Sequence, residues 1–117
     1  MHIKLIVIRS KEPKGLAEFY SLLGFVFDYH QHGNGPFHYA ATIGTAVLEI
    51  YPLTKSQSEP DRHLRLGFSI DDFDTKIKEL INMNIRFQME PTQTEFGMMA
   101  IISDPDSRKI ELYKSFD

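Results

Sequence analysis

The sequence contains no cysteine, so it can form no disulfide, thiolate nucleophile or cysteine-ligated metal site. No apolar run approaches the roughly 20 residues that a membrane-spanning helix needs. Acidic and basic residues are interspersed and the formal net charge is -3, which argues against nucleic acid as a partner. The first residues lack the basic and apolar regions of a signal peptide. We therefore expect no membrane or nucleic-acid partner and a cytoplasmic location.

The composition is that of an ordinary globular protein. The 117 residues are 42% hydrophobic and 25% charged, and this length suits one domain that buries a core without disulfides. No Gly-rich phosphate loop, Ser-His-Asp arrangement or H-E-x-x-H motif is present. The sequence therefore contains none of the common motifs for phosphate binding, serine hydrolysis or zinc proteolysis.

Hydrophobic periodicity predicts ten elements in a repeated order. In the first half, a β-branched strand precedes a helix whose apolar residues are spaced three and four apart and which ends at Gly24. The second half repeats this order, with Asp71 and Asp72 as candidate helix caps. The predicted strands are 3–8, 25–30, 37–43 and 46–51, then 64–70, 85–89, 98–103 and 109–113, with a loop at 91–97.

The order βαβββ occurs on both sides of a polar stretch. We predict one domain over residues 1–117, made of module one (1–52), a surface linker (53–62) and module two (63–117). The letters LEIY at 48–51 end the first module, and IELY at 110–113 end the second. This echo and the repeated order indicate two similar units and an α+β fold class.

Three segments resemble the motifs of one family. They are FYSLLGF at the end of the first helix (19–25), LGFSIDDFD at a strand-to-helix junction (66–74) and DPDSRKIEL before the last strand (104–112). All three occur in the order and spacing of the vicinal oxygen chelate superfamily, which includes glyoxalase I, bleomycin-resistance proteins and extradiol dioxygenases. The resemblance covers nearly the whole chain.

The resemblance implies a fold in which each module contributes a curled mixed sheet and the two sheets form a cleft. Metal-dependent members bind a divalent ion there, through the first and last strands of each module. The corresponding positions in this sequence are Leu5, Glu49, Arg65 and Glu111. Leucine has no donor atom, and arginine is a cation without an available lone pair. We therefore favour a metal-free site without a cofactor.

Arg65 is expected to lie between the two remaining carboxylates. Such a pairing would relieve the repulsion between Glu49 and Glu111 where both face a cleft. A ligand-binding patch and a purely structural ion-pair network are equally compatible with this arrangement. Glu49 or Glu111 could also act as a general base, which would give catalysis without a metal.

A divalent metal is the alternative, with His63 as an additional ligand. His63 lies two residues before Arg65, so a register slip in the strand would bring it beside Glu49 and Glu111. One histidine and two carboxylates form a plausible set for a hard metal ion. The simpler interpretation is a solvated histidine at the entrance of a strand.

Three further histidines surround the predicted turn at 32–36. The spacing of His30, His32 and His38 can form a metal cluster. Exposed histidines on a surface hairpin are far more common, and we expect that here.

Aromatic residues are concentrated on the predicted strands. Alternate positions of a strand share a face, so Phe37 and Tyr39 form a pair that would stack on a planar ligand if their face lines the cleft. Packing beneath a helix is the alternative for each aromatic residue. The predicted ligand cleft comprises Leu5, Phe37, Tyr39, Glu49, Tyr51, Arg65, Phe96, Met98 and Glu111.

Two functions of different classes follow from the resemblance. The first is binding without chemistry, by a protein of the bleomycin-resistance type that sequesters a small, partly aromatic ligand. The second is a metal-dependent lyase or dioxygenase of the glyoxalase I type that uses Glu49 and Glu111. We favour the first, because Leu5 and Arg65 replace two metal ligands. The resemblance also implies a homodimer.

Overall fold

The computed structural model describes residues 1–115, which fall into two compact units that divide after Asp61. Within these residues, each unit has the element order βαβββ. The first unit contains β1 (Leu5–Ser10), α1 (Pro13–Ser21), β2 (Asp28–His30), β3 (His38–Ile43) and β4 (Ala46–Pro52). The second contains β5 (Leu66–Ile70), α2 (Phe73–Asn82), β6 (Phe87–Thr94), β7 (Gly97–Ser103) and β8 (Lys109–Lys114). The predicted α+β class with two βαβββ modules is confirmed.

Each unit forms one mixed sheet, with the orders β1-β4-β3-β2 and β5-β8-β7-β6. The pairs β1/β4 and β5/β8 are parallel, and the other pairs are antiparallel. Glu49 on β4 lies opposite Val7 and Ala40. Glu111 on β8 lies opposite Gly67 and Ile101. The two glutamates therefore occupy equivalent interior positions of the two sheets.

Helix α1 covers one face of the first sheet. Ile8, Leu48 and Ile50 are at most 2% exposed and lie beneath the helix, whose Leu16 is fully buried. Burying one such aliphatic side chain contributes about 1.5–3 kcal/mol. Because side chains alternate along a strand, Glu49 points to the other face. The second unit is built in the same way, with α2 packed on β8. No helix in residues 1–115 is long and apolar enough to cross a membrane.

Strand β6 is longer than the sequence predicted. Residues 91–94 were expected in a loop, but they continue the strand and pair with β7. Pro91 is accommodated because β6 is an edge strand and its pairing shifts register between Met89 and Thr92. The predicted loop is therefore wrong over residues 91–94.

The start of β2 and the cap of α2 also differ from expectation. Strand β2 begins at Asp28 and not at Phe25 as predicted. The side chain of Phe25 is buried, and its ring centroid lies 5.9 Å from that of Tyr20. Asp72 occupies the N-cap position of α2, but its φ is 51° and its side chain makes no capping hydrogen bond. Gly24 follows the last turn of α1 with φ +110°, so the predicted stop is confirmed.

Candidate functional site

The face of the first sheet opposite to α1 is called the open face. Strand register and ring stacking arrange its side chains in three rows. The rows are Leu5, Val47 and Thr42, then Val7, Glu49, Ala40 and Asp28, then Arg9, Tyr51, His38 and His30. Glu49 lies near the centre, with 12% of its side chain exposed. Leu5, Glu49 and Tyr51, which were predicted to line a cleft, therefore share one face.

A depression of about 450 Å³ lies on the open face. Its lining includes the exposed apolar side chain of Val26 and the polar groups of Asp28, Thr42 and Glu49. Small-molecule pockets have volumes of about 300–1,000 Å³ and combine apolar walls with a few polar groups. The depression has both properties within the first unit alone.

Three histidines converge on Glu49 at one side of this depression. One ligand atom from each of His30, His32, His38 and Glu49 lies within 4.8 Å of all the others. Nε2 of His38 is 3.2 Å from Oε2 of Glu49, and Nε2 of His32 is 4.0 Å from the same oxygen. Imidazole nitrogens and a carboxylate oxygen are the donors that a transition metal ion takes in proteins. This group is therefore able to hold a cation.

The hairpin of β2 and β3 brings the three histidines together. His30 and His38 are directly opposite each other in the antiparallel pair, with ring centroids 4.5 Å apart. His32 lies in the connecting turn, with its ring 4.8 Å from that of His30. The expectation of ordinary exposed hairpin histidines is wrong for His38, which is buried. The symmetry of residues 30 and 38 about Asn34 was a sequence signal for this pairing.

A stacked column links the cluster to a cationic side chain. The rings of His38 and Tyr51 are parallel within 10°, with centroids 4.1 Å apart. The guanidinium carbon of Arg9 lies 5.0 Å from the centroid of the Tyr51 ring, a cation–π distance. Arg9 also donates a hydrogen bond of 3.0 Å to the carbonyl oxygen of Pro52. These contacts hold the His38 ring in a fixed orientation.

The second unit engages its glutamate differently. Nη2 of Arg65 donates to Oε2 of Glu111 at 2.5 Å, and the hydroxyl of Tyr113 donates to Oε1. This hydrogen bond raises the pKa of the Tyr113 phenol above its ordinary value of 10.0, and desolvation and the charge of Glu111 act in the same direction. The predicted contact between Arg65 and Glu111 is present. A contact of Arg65 with Glu49 would join the two units and stays a prediction.

The positions that the resemblance assigns to metal ligands do not fit a divalent ion. Leu5 has no donor atom and is largely exposed. The guanidinium of Arg65 pairs with the carboxylate of Glu111, and its positive charge would repel a metal ion. His63 is exposed and precedes β5. The alternative set of His63, Glu49 and Glu111 draws on both units and stays a prediction.

Two of the predicted cleft aromatics lie on the helix side of the first sheet. Tyr39 is in register with Ile50, which packs beneath α1, so it points away from Glu49. Phe37 shares that side, because both rings contact Tyr29 at centroid distances of 5.1 and 4.6 Å. The expectation that Phe37 and Tyr39 share a ligand face with Glu49 is therefore wrong.

Two predicted cleft residues belong to the hairpin of β6 and β7. Phe96 lies in its turn with an exposed ring. Met98 alternates onto the face of Ala100 and Leu112, both fully buried, and so points away from Glu111. The expectation that Met98 and Glu111 share a ligand face is therefore wrong.

Comparison with known proteins identifies the fold and the family. The sequence model of the Glyoxalase/Bleomycin resistance protein/Dioxygenase superfamily matches residues 2–112. A search of curated proteins gives no significant match. The structure is similar to TnmS3, an antibiotic binding protein from Streptomyces sp. CB03234, with 22% identity and a TM-score of 0.78 over 99% of this chain and 97% of that one.

Two further solved structures show the same likeness. TioX from Micromonospora sp. ML1 has 11% identity and a TM-score of 0.75, covering 99% of this chain and 100% of that one. The virulence protein STM3117 from Salmonella typhimurium has 18% identity and a TM-score of 0.75, covering 99% and 98%. At these identities the likeness shows the fold.

Proposed function

The chain belongs to the Glyoxalase/Bleomycin resistance protein/Dioxygenase superfamily. We propose that it binds a small, partly aromatic molecule on the open face of its first sheet. Binding without chemistry, by sequestration as in resistance proteins, is the function that the site supports best. The observation that carries the proposal is the depression around Glu49, which combines apolar side chains, including the exposed Val26, with polar groups.

The apolar part of the open face favours a ligand with flat hydrophobic surface. Val26 is 83% exposed and Leu5 is 54% exposed, so both present apolar surface that a bound ligand can remove from water. The side chain of His32 is 70% exposed, and its imidazole ring offers a planar surface for stacking. An aromatic or alicyclic ring system bound against these groups would bury the largest part of their exposed apolar surface.

The polar part favours a ligand that also carries hydrogen-bonding groups. Asp28, Thr42 and Glu49 contribute acceptors and a hydroxyl to the depression. Many antibiotics and aromatic metabolites combine rings with hydroxyl or amino groups. The likeness to TnmS3, an antibiotic binding protein, supports this ligand class.

A metal-dependent lyase or dioxygenase that uses Glu49 and Glu111 is less well supported. Both oxygens of Glu111 already accept hydrogen bonds, one from Arg65 and one from Tyr113. A metal ion at Glu111 would have to displace the guanidinium from its carboxylate.

A thermal-shift screen followed by calorimetry tests the proposal. Planar antibiotics and aromatic metabolites are screened first, and the compound with the largest shift is titrated into wild-type protein and two variants. Thr42→Arg places a long side chain in the depression, because Thr42 is exposed on the open face. Thr45→Arg is the matched control, because Thr45 is an exposed turn residue of the same hairpin and does not line the depression.

We expect Thr42→Arg to weaken binding by about tenfold or more, which corresponds to about 1.4 kcal/mol. Thr45→Arg should bind with wild-type affinity. Equal affinities of both variants for the same compound would place the ligand elsewhere and contradict the proposal.

A further inference from the structure

We propose that His30, His32, His38 and Glu49 bind one divalent transition metal ion of the zinc class. This inference goes beyond small-molecule binding, and it does not depend on the identity of the organic ligand. It also differs from the positions that the family resemblance assigns to a metal, because only Glu49 is shared with them.

The donor atoms lie close to the separations that ligands have around one ion. Bonds from zinc to histidine nitrogen and carboxylate oxygen are about 2.0–2.2 Å, so neighbouring ligands of a tetrahedral ion are about 3.4 Å apart. Glu49 Oε2 lies 3.2 Å from His38 Nε2 and 4.0 Å from His32 Nε2. All four donor atoms lie within 4.8 Å of one another. Small side-chain adjustments would bring them to coordination distance.

The environment of His38 points to a cation at its Nε2. The side chain is 1% exposed, and Nδ1 lies 3.2 Å from the carbonyl oxygen of Pro36. A carbonyl oxygen only accepts hydrogen bonds, so this contact requires a proton on Nδ1. The neutral ring then has its lone pair on Nε2. Metal-bound histidines commonly have this arrangement, in which a backbone carbonyl fixes the ring through the other nitrogen.

Nε2 of His38 has no hydrogen-bond partner in the described part of the chain, although Glu49 Oε2 is only 3.2 Å away. The carboxylate oxygen lies beside the nitrogen, outside hydrogen-bonding geometry. Two acceptors at this distance repel each other unless a positive charge lies between them. Buried polar atoms without partners are rare and costly. A metal ion bound to both atoms satisfies them together.

His30 provides a second buried donor with the same property. Its Nε2 has no hydrogen-bond partner among residues 1–115. The ring is held directly opposite His38 by the pairing of β2 and β3. Two imidazoles with unpartnered nitrogens, on paired strands and in one group with Glu49, form a site that strand pairing arranges in advance.

The donor set selects the class of metal. Three imidazoles and one carboxylate favour borderline ions such as Zn²⁺, Co²⁺ and Ni²⁺, whereas Mg²⁺ and Ca²⁺ prefer oxygen ligands. His30, His32 and Glu49 also line the depression, so the ion would lie in its wall. We therefore expect tight Zn²⁺ binding without competition from Mg²⁺.

Calorimetry with ZnCl₂ on tag-free protein, after removal of metal by chelator dialysis, tests the site. His32→Gln and Glu49→Gln remove ligands without opening a fully buried position, and His30→Gln provides a third variant. His2→Gln is the matched control, because His2 is an exposed histidine of the same unit that lies outside the cluster. His63→Gln tests the alternative metal set. CoCl₂ replaces zinc in a parallel experiment, because the visible bands of Co²⁺ report imidazole coordination.

We expect one Zn²⁺ per chain, with affinity lowered more than about tenfold in His30→Gln, His32→Gln and Glu49→Gln. The affinity should be unchanged in His2→Gln and His63→Gln. Co²⁺ should give intense visible bands that Glu49→Gln weakens. Absence of saturable binding would overturn the proposal. So would binding that survives all three ligand substitutions, or binding that His63→Gln abolishes.

The outcome is separable from the proposed small-molecule function. Thr42 is not a metal ligand, so Thr42→Arg tests the organic ligand, while His32→Gln and Glu49→Gln test the metal. Zinc binding without any organic ligand, or the reverse, would leave one proposal standing and contradict the other.

Discussion

At the scale of single residues, the two repeated glutamates have acquired different partners. Glu49 and Glu111 occupy the same position in their sheets, next to the parallel first strand. Glu111 accepts hydrogen bonds from a guanidinium and a phenol, so its charge is balanced within its own unit. Glu49 is surrounded instead by imidazoles. The carboxylate of Glu111 is therefore paired with a cation of its own unit, whereas the carboxylate of Glu49 contacts imidazole rings.

The ionisation of Tyr113 tests the account of Glu111. Because the hydrogen bond to Glu111 raises the pKa of the phenol, Tyr113 should ionise above pH 10.0. The hydrogen bond stabilises the fold fully below that pH, and the stabilisation is lost as pH rises through the raised pKa. In Glu111→Gln the negative partner is gone, so the pKa of Tyr113 should fall toward its ordinary value.

NMR of ¹³C-labelled tyrosine rings as a function of pH measures this shift, with Tyr113→Phe to assign the signal. Glu90→Gln, at an exposed position on β6, is the control and should leave the titration of Tyr113 unchanged. A Tyr113 titration curve that is identical in wild type and Glu111→Gln would show that the hydrogen bond does not form in solution.

At the scale of elements, the sequence predicted the order of strands and helices but not every boundary. Amphipathic spacing and Gly24 located α1, since both act locally. The predicted loop began at Pro91, yet Pro91 lies in β6, because an edge strand with a register shift does not need the N–H that proline lacks. Phe25 has strand-like character but is placed by packing on Tyr20, a contact that local patterns do not contain.

The candidate site was predictable only in part for the same reason. Resemblance located Glu49 and Glu111, because the repeated motifs fix the last strands. The histidine cluster depends on which face each hairpin residue occupies, and this follows from the pairing of His30 with His38. The same registers place Tyr39 on the helix side. A shift of one residue in strand register moves a side chain to the other face of the sheet, and strand prediction from sequence is not accurate to one residue.

The turn before β8 gives a prediction about stability. Arg108 is 1% exposed and forms ion pairs of 3.2 Å with Asp104 and Asp106. Oδ1 of Asp104 also accepts hydrogen bonds from the backbone N–H groups of Asp106 and Arg108. Replacing Arg108 with methionine would leave a buried carboxylate without its cation. We expect Arg108→Met to lower the free energy of unfolding by about 3–5 kcal/mol.

Urea denaturation measures this loss, with Lys109→Met as the matched control. Lys109 is the exposed neighbour of Arg108, so its replacement should change the free energy of unfolding by less than about 0.5 kcal/mol. Similar stabilities of the two variants would mean that the buried ion pairs contribute little to the fold.

At the scale of the whole molecule, the chain consists of two units with one architecture. Each unit has its own sheet, helix and buried aliphatic core, and each leaves its outer strands with an unpaired edge in the described residues. Unpaired strand edges favour association with another chain. The family resemblance implies the same, and we predict a homodimer.

Sedimentation equilibrium over a range of protein concentrations tests the homodimer. We expect a mass twice that of the chain across the micromolar range. Addition of the metal or of an aromatic ligand should not be needed for association, because the strand edges exist without either. A single-chain mass at every concentration would exclude the dimer.

The most direct test of ligand binding on the open face is amide shift mapping in ¹⁵N-labelled protein. The compound with the highest affinity in the aromatic panel is titrated, and the backbone signals are followed. We predict that the largest shifts occur at Asp28, Ala40, Thr42 and Glu49, which share that face. Shifts confined to residues of α1 or of the second unit would contradict the proposed site.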